Sequence, residues 1–109
     1  MTRRRVDVEA VGPWLVEVPL QAEGPLPWRD LFPGLAGPVV LELGCGYGLF
    51  LRDLAALQPE RPHLGVERDR GAALRAARKL MLAQAANAKV VVGDAFWALN
   101  RLFAPGEVG

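Results

Sequence analysis

Val39-Val40-Leu41-Glu42-Leu43-Gly44-Cys45-Gly46-Tyr47-Gly48 is the stretch whose reading decides the fold. Its first five residues form a short apolar run interrupted only by Glu42, and such a run closed by glycines is the pattern of a strand buried on both faces. Gly44, Gly46 and Gly48 follow at intervals of two. A turn made of them reaches backbone conformations closed to other residues and lets a ligand approach the main chain, while the next helix aims its free N–H groups at the same place. Leu49, Phe50, Leu54 and Leu57 recur at spacings that put them near one face of that helix, which stops before Pro59 and Pro62. Strand, glycine turn and helix make one unit of a parallel sheet.

The same order repeats downstream. His63-Leu64-Gly65-Val66-Glu67 reads as a second strand. A helix over residues 69–86 follows, with Asp69 as its cap, Leu74, Ala77, Leu80 and Met81 inward, Arg75, Arg78 and Lys79 outward, and Asn87 at its end. Residues 89–92 read as a third strand, closed by Gly93, Asp94 and Ala95, with a last helix over residues 96–103 whose Phe96, Trp97 and Phe103 belong to the core. The alternation predicts an α/β fold with a parallel sheet, and right-handed crossovers order the strands third, second, first, with their C-terminal ends along one edge. Residues 1–38, rich in Pro and Gly, read as an N-terminal extension, with a short strand or hairpin arm at residues 14–18 and Trp14 and Trp28 as anchors.

Composition narrows the function classes. Thirteen Lys and Arg stand against 12 Asp and Glu in 109 residues, and 51% are hydrophobic, the balance of a soluble globular domain. No apolar run nears the roughly 20 residues of a membrane span and no apolar signal core follows Met1, so the reading is no membrane and a cytoplasmic location. Cys45 and His63 are each the sole residue of their kind, which rules out an internal disulfide and leaves no metal site expected. His63 reads as an exposed or hydrogen-bonded strand residue. The cations cluster at Arg3, Arg4 and Arg5 and at Arg68, Arg70, Arg75, Arg78 and Lys79. Clustering, not net charge, is what bears on nucleic acid, although a solvated end or helix face is the plainer reading of each run.

Acids close all three strands. Glu67 ends the second strand 25 positions after Glu42, close to the spacing of roughly 20 residues at which an acid meets ribose hydroxyls in such folds. Asp94 ends the third strand, where its carboxylate and the N–H of Ala95 are placed to meet an adenine edge. The same acids can cap the helices that follow, and the two roles can coexist. A dinucleotide loop places its third glycine three residues after the second, whereas here that position is Leu49 and the glycine is Gly48.

Residues Leu41-Glu42-Leu43-Gly44-Cys45-Gly46-Tyr47-Gly48, then Leu64-Gly65-Val66-Glu67, then Asn87 through Gly93-Asp94-Ala95 together resemble the tRNA (guanine-N7-)-methyltransferases, class I S-adenosylmethionine-dependent enzymes. Pro59-Glu60 and the lead-in at residues 28–32 are similar too, so the resemblance covers about residues 28–109. It implies the Rossmann-like class I methyltransferase fold, a three-layer α/β/α sandwich, with S-adenosyl-L-methionine as cofactor and tRNA as substrate. It implies that Glu42, Glu67 and Asp94 contact the cofactor, with Gly44, Gly46, Gly48 and Ala95 completing the site. Cys45 stands where the family often has an aromatic residue, and reads as a small buried loop residue, not a nucleophile. Residues 39–109 are then a partial cofactor-binding domain, truncated after the third strand and its helix. The family's active-site aspartate, in a Phe-Pro-Asp-Pro-Trp type motif on the fourth strand, is expected beyond Gly109. The outer edge of the first strand is expected to be open, and prone to self-association. Two alternatives stay open: a class I methyltransferase with another substrate, and a non-catalytic nucleotide-binding or assembly module.

Overall fold

Buried apolar runs with no partner inside themselves become strands because only a sheet satisfies their backbone groups. In a computed structural model that describes residues 6–18 and 24–109, three of them form β2 (Val40–Leu43), β3 (His63–Glu67) and β4 (Ala88–Val92), all parallel, with β3 between the other two. This is the predicted order. The cluster Arg3 to Arg5 lies outside the described residues. Helices α3 (Leu49–Leu57) and α4 (Arg70–Leu82) connect these strands, and α5 (Ala95–Arg101) follows β4.

The connections sort the helices into layers. Leu51 and Ala55 of α3 and Ala73, Ala76 and Leu80 of α4 pack with Cys45, Ala88 and Val90 on one face of the sheet. Ala98 of α5, together with Leu102, packs on the other face with Leu64, Val66, Val91, Trp28 and Phe32. Helices on both faces of a parallel sheet make the three-layer sandwich of a Rossmann-like α/β fold.

The N-terminal segment does more than cover the core. After α1 (Val8–Val11) and a 3-10 turn at Gly12–Trp14, β1 (Leu15–Glu17) joins the sheet parallel to β4, with Leu15 opposite Val90 and Glu17 opposite Val92. The sheet therefore has four strands in the order β1-β4-β3-β2. Trp14 Nε1 donates to the Ala85 carbonyl at 2.8 Å, and Trp28 Nε1, at the start of α2 (Trp28–Leu31), donates to the Leu102 carbonyl at 2.8 Å. Both tryptophans tie the segment to the core as anchors. At the opposite edge the chain's last residues touch β2: the Val39 N–H donates to the Glu107 carbonyl at 2.6 Å and the Gly109 N–H to the Val39 carbonyl at 3.1 Å. Val39 is thus covered in parallel fashion by Val108, while Val40–Leu43 form the sheet's edge among the described residues.

Several details depart from the sequence reading. Helix α4 ends at Leu82, with Ala83 as its C-cap and Gln84 in a left-handed conformation at φ 52°, so Asn87 does not terminate it. Asn87 is buried, and its Nδ2 lies 2.9, 3.0 and 3.1 Å from the carbonyls of Ala55, Gln58 and Arg61. It braces the end of α3, which its loop-like sequence context concealed. On α3 only Leu51 and Ala55 are fully buried, while Leu49, Phe50 and Leu57 are exposed, so the helix turns only a narrow stripe to the core. Phe96 is 77% exposed, so it is not core.

His63 is fully buried, and among the described residues neither ring nitrogen has a hydrogen-bond partner, which corrects the expectation of an exposed or hydrogen-bonded residue. Burial lowers its pKa below the ordinary 6.5, with Arg61 acting in the same direction, against opposing pulls from the Gln58 carbonyl, short of hydrogen-bond geometry, and Glu60. A histidine kept neutral in the fold binds a proton more readily once unfolded. Its contribution is therefore fully present above pH 6.5 and is lost as pH falls through the depressed folded value. The unfolding free energy from urea titrations should drop from about pH 7 to about pH 5, with a slope of at most about 1.4 kcal/mol per pH unit for this one proton. His63→Leu should flatten that slope; equal slopes for the two proteins would show that His63 does not set it.

Candidate functional site

The loop after β2 is held from three sides. The N–H groups of Gly44 and Cys45 both donate to the Val66 carbonyl, at 2.7 and 3.1 Å, which pins the turn against β3. The Gly46 N–H donates to Glu67 Oε1 at 2.9 Å, and the other carboxylate oxygen accepts the Asp69 N–H at 2.8 Å. Lys79 Nζ, from α4, donates to the Tyr47 carbonyl at 3.0 Å. Glu67 thus clasps the glycine loop to the start of the next helix.

Gly44 and Gly48 serve different ends. Gly44 has φ 71°, and a Cβ on it would meet nothing within 4 Å, so the backbone there is bare toward open space. Gly48 has φ 81° and lies against α4, where a Cβ would fall 2.7 Å from Ala76 Cβ and 2.9 Å from Ala76 Cα. Its job is close packing of α3 on α4. Gly65, in the middle of β3, is bare for a similar reason, since a Cβ would fall 2.7 Å from Cys45 Sγ and 2.8 Å from Leu51 Cδ2.

Two acids, Asp69 and Asp94, cap the helices that follow β3 and β4. Asp69 Oδ2 accepts the Ala72 N–H at 3.0 Å at the start of α4, and Asp94 Oδ1 accepts the Trp97 N–H at 3.1 Å at the start of α5. Asp94 Oδ2 has no part in that bond. Glu42 lies half-buried on the α3 face, its Oε2 buried without a hydrogen-bond partner among the described residues, and burial raises its pKa. The neighbouring Cys45 thiol is pushed up to about 12, first by burial and then by the charges of Glu42 and Glu67. A thiol so placed stays protonated and is no nucleophile.

A groove of about 480 Å3 opens at the C-terminal ends of β2, β3 and β4. Gly44, Glu67, Asp94 and Ala95 line it, so it brings together four of the residues expected in the site. Glu42, Gly46 and Gly48 do not line it: the first faces the α3 side, the second is tied to Glu67, and the third is spent on Ala76. Val66, Arg68, Asp69 and Gly93 complete the walls and were not singled out from the sequence, although Gly93 follows a strand end and Arg68 follows Glu67. A second hollow, about 520 Å3, lies at the far ends of α3 and α4 among residues such as Arg52, Pro59 and Asn87, away from every strand-end acid. Among the described residues no group of three or more His, Cys, Asp or Glu is arranged to hold a metal.

A bare turn after one parallel strand, a carboxylate at the end of the next and an acid after the third meet outside the carboxyl ends of the strands, the edge at which open α/β sheets of the Rossmann-like class bind ligands. The fold is shared with a solved phosphoethanolamine N-methyltransferase 2 from Haemonchus contortus in complex with S-adenosyl-L-methionine, with a TM-score of 0.51 and 21% identity over 74% of this chain and 18% of that one. The chain belongs to the putative methyltransferase family, whose sequence profile matches residues 36–109. A tRNA (guanine-N(7)-)-methyltransferase from Thermus thermophilus is 40% identical over 80 residues, which are 73% of this chain and 25% of that protein. One of the same name from Anaeromyxobacter dehalogenans is 38% identical over 81 residues, 74% of this chain and 40% of the relative. The chain therefore spans between a quarter and two-fifths of the length of these curated relatives.

Proposed function

We propose that residues 39–109 form the S-adenosylmethionine-binding part of a methyltransferase that modifies N7 of a guanine in tRNA, working in the cytoplasm. The groove at the strand ends carries this reading, because it joins a bare backbone at Gly44 to two carboxylates at Glu67 and Asp94. The names of the relatives support tRNA as the substrate. No described helix is long and apolar enough to cross a membrane.

The residues present fit the cofactor. A carboxylate has about four lone-pair sites, so Glu67 keeps acceptor capacity for ribose hydroxyls after clasping Gly46 and Asp69. Asp94 Oδ2 is left to accept from an adenine amino group while Oδ1 caps α5. Gly44 allows the methionine portion to lie against the main chain. Bound there, the cofactor supplies an electrophilic methyl group on sulfur. Guanine N7 offers a lone pair with no proton to remove, so the protein needs to align the two partners, not supply a base.

Capping and cofactor binding by Asp94 are separable. Asparagine caps a helix as well as aspartate, so Asp94→Asn should change stability by less than about 0.5 kcal/mol. If its amide oxygen keeps the cap, its NH2 faces the adenine amino group, donor against donor. Affinity for S-adenosylmethionine should then fall about 10- to 100-fold, the effect of about 1–3 kcal/mol for an unmade buried hydrogen bond. Calorimetric titration of both proteins reads this directly. A folded wild-type chain with no saturable binding would overturn the cofactor assignment, and equal affinities would move the adenine away from Asp94.

A further inference from the structure

Helix α4 carries four cations, Arg70, Arg75, Arg78 and Lys79, and no acid along its 13 residues. Arg70 is paired with Glu17 at 3.0 Å, and the other ion pair among the described residues is Arg52 with Asp53. Arg75, Arg78 and Lys79 form no ion pair among the described residues. Arg75 lies three and four residues before the other two, the spacings at which like charges on a helix repel. A face that served only solubility would gain from an acid at one of these positions, so the arrangement weakens the isolated helix.

Tyr47 of the glycine loop lies over this face. Arg75 Cζ and Lys79 Nζ each sit 5.4 Å from its ring centroid, and half of the tyrosine remains exposed. A hollow of about 190 Å3 opens between Val6, Tyr47, Arg75, Arg78 and Lys79. Exposed aromatic surface beside uncompensated cations is the combination by which proteins hold unpaired nucleotides: the ring stacks on a base and the cations take the phosphates.

We infer that Tyr47 and the Arg75, Arg78, Lys79 face of α4 form an RNA-docking surface beside the cofactor groove, with Tyr47 stacking on an unpaired base. The inference rests on RNA being the substrate. It adds where the RNA is held, on residues none of which lines the groove. Because Lys79 also holds the Tyr47 carbonyl, docked RNA presses on the loop whose Gly44 forms the groove wall.

The test uses the full chain, an unmodified tRNA transcript followed by fluorescence anisotropy, and S-adenosylmethionine followed by calorimetry. Arg75→Gln with Arg78→Gln should weaken tRNA binding about tenfold at low salt and make log K against log salt shallower by about 1 to 2. Affinity for S-adenosylmethionine should be unchanged. Tyr47→Leu should weaken tRNA binding about tenfold with the salt slope unaltered, as loss of one stacked base predicts. Wild-type tRNA binding that none of these variants weakens would overturn the surface while leaving the methyltransferase reading intact. Absence of wild-type tRNA binding would overturn it too, and the cofactor titration would show whether the cofactor reading survives. Charge-dependent binding to phosphatidylserine vesicles, with tRNA binding insensitive to the substitutions, would assign the patch to a membrane surface and overturn the RNA proposal.

Discussion

Gly48→Ala should lower the stability of the fold by about 2 to 5 kcal/mol, although it adds a single methyl group. Two effects combine. At φ 81° an L-residue is in the left-handed region, at about 1–2 kcal/mol. The new Cβ would also fall 2.7 Å from Ala76 Cβ and 2.9 Å from Ala76 Cα. The second contact is with backbone in the middle of α4, which cannot swing aside as a side chain can, so α3 and α4 would have to move apart and loosen the packing of Leu51 and Ala55 against Ala73, Ala76 and Leu80. Overpacking of this kind costs about 1–3 kcal/mol. Gly46→Ala supplies the control, since Gly46 also has positive φ, 56°, but a Cβ there meets nothing within 4 Å. Its loss should stop near the backbone term alone. Placing Ala76→Gly beside Gly48→Ala removes one of the two close contacts and should recover part of the difference. Urea denaturation of the four proteins gives the comparison, and equal losses for the Gly46 and Gly48 variants would show that the helix contact is not what excludes a side chain.

The same residue shows where sequence reading stops. Glycines at intervals of two after a strand suggest a loop open to a ligand, but Gly48 also packs against Ala76, which is 28 positions away in sequence, and nothing local reports that contact. The alternation of strand and helix was legible because each unit is set by local periodicity, and the order of β4, β3 and β2 followed from the handedness of crossovers. The participation of β1 in the sheet was not, since its three residues join through pairing with β4 more than 70 positions later. Asn87 and His63 were misread for a related reason. One is surrounded by small residues that suggested a helix end, and the other by Pro62 that suggested a surface, whereas burial of both is set by α3 and its loop packing over the strand starts. That Glu67, Asp94, Gly44 and Ala95 line one groove was legible because strand C-termini in a parallel sheet share one edge. Side-chain direction was not, so Glu42 was assigned to an edge that its carboxylate does not line.

Glu67→Ala should reduce affinity for S-adenosylmethionine by at least about 100-fold, because it removes interactions at two levels. The first is within the protein: the N–H groups of Gly46 and Asp69 both lose a carboxylate acceptor, and the loop carrying Gly44 is then tied to β3 only through the Val66 carbonyl. Hydrogen bonds to a charged group contribute about 1.5–3 kcal/mol each, but these two are partly solvated, so a stability loss of about 2 kcal/mol in total is expected. The second level is the ligand, whose ribose hydroxyls lose the remaining lone pairs. Glu67→Gln separates the two. Its amide oxygen can still accept from Gly46, but its NH2 faces the Asp69 N–H, donor against donor, so the clasp survives by half and the charge is gone. Affinity should fall about tenfold with a stability loss of about 1 kcal/mol. The ordering matters more than either value, since a clasp without a ligand role predicts that affinity tracks stability across the two variants, whereas a direct contact predicts a loss of affinity in the glutamine variant beyond what its destabilisation explains. Calorimetric affinities set against urea midpoints decide between them. Binding of S-adenosylmethionine to the alanine variant within about threefold of wild type, less than the effect of one ordinary hydrogen bond, would mean that the ribose lies elsewhere and that Glu67 serves the loop alone.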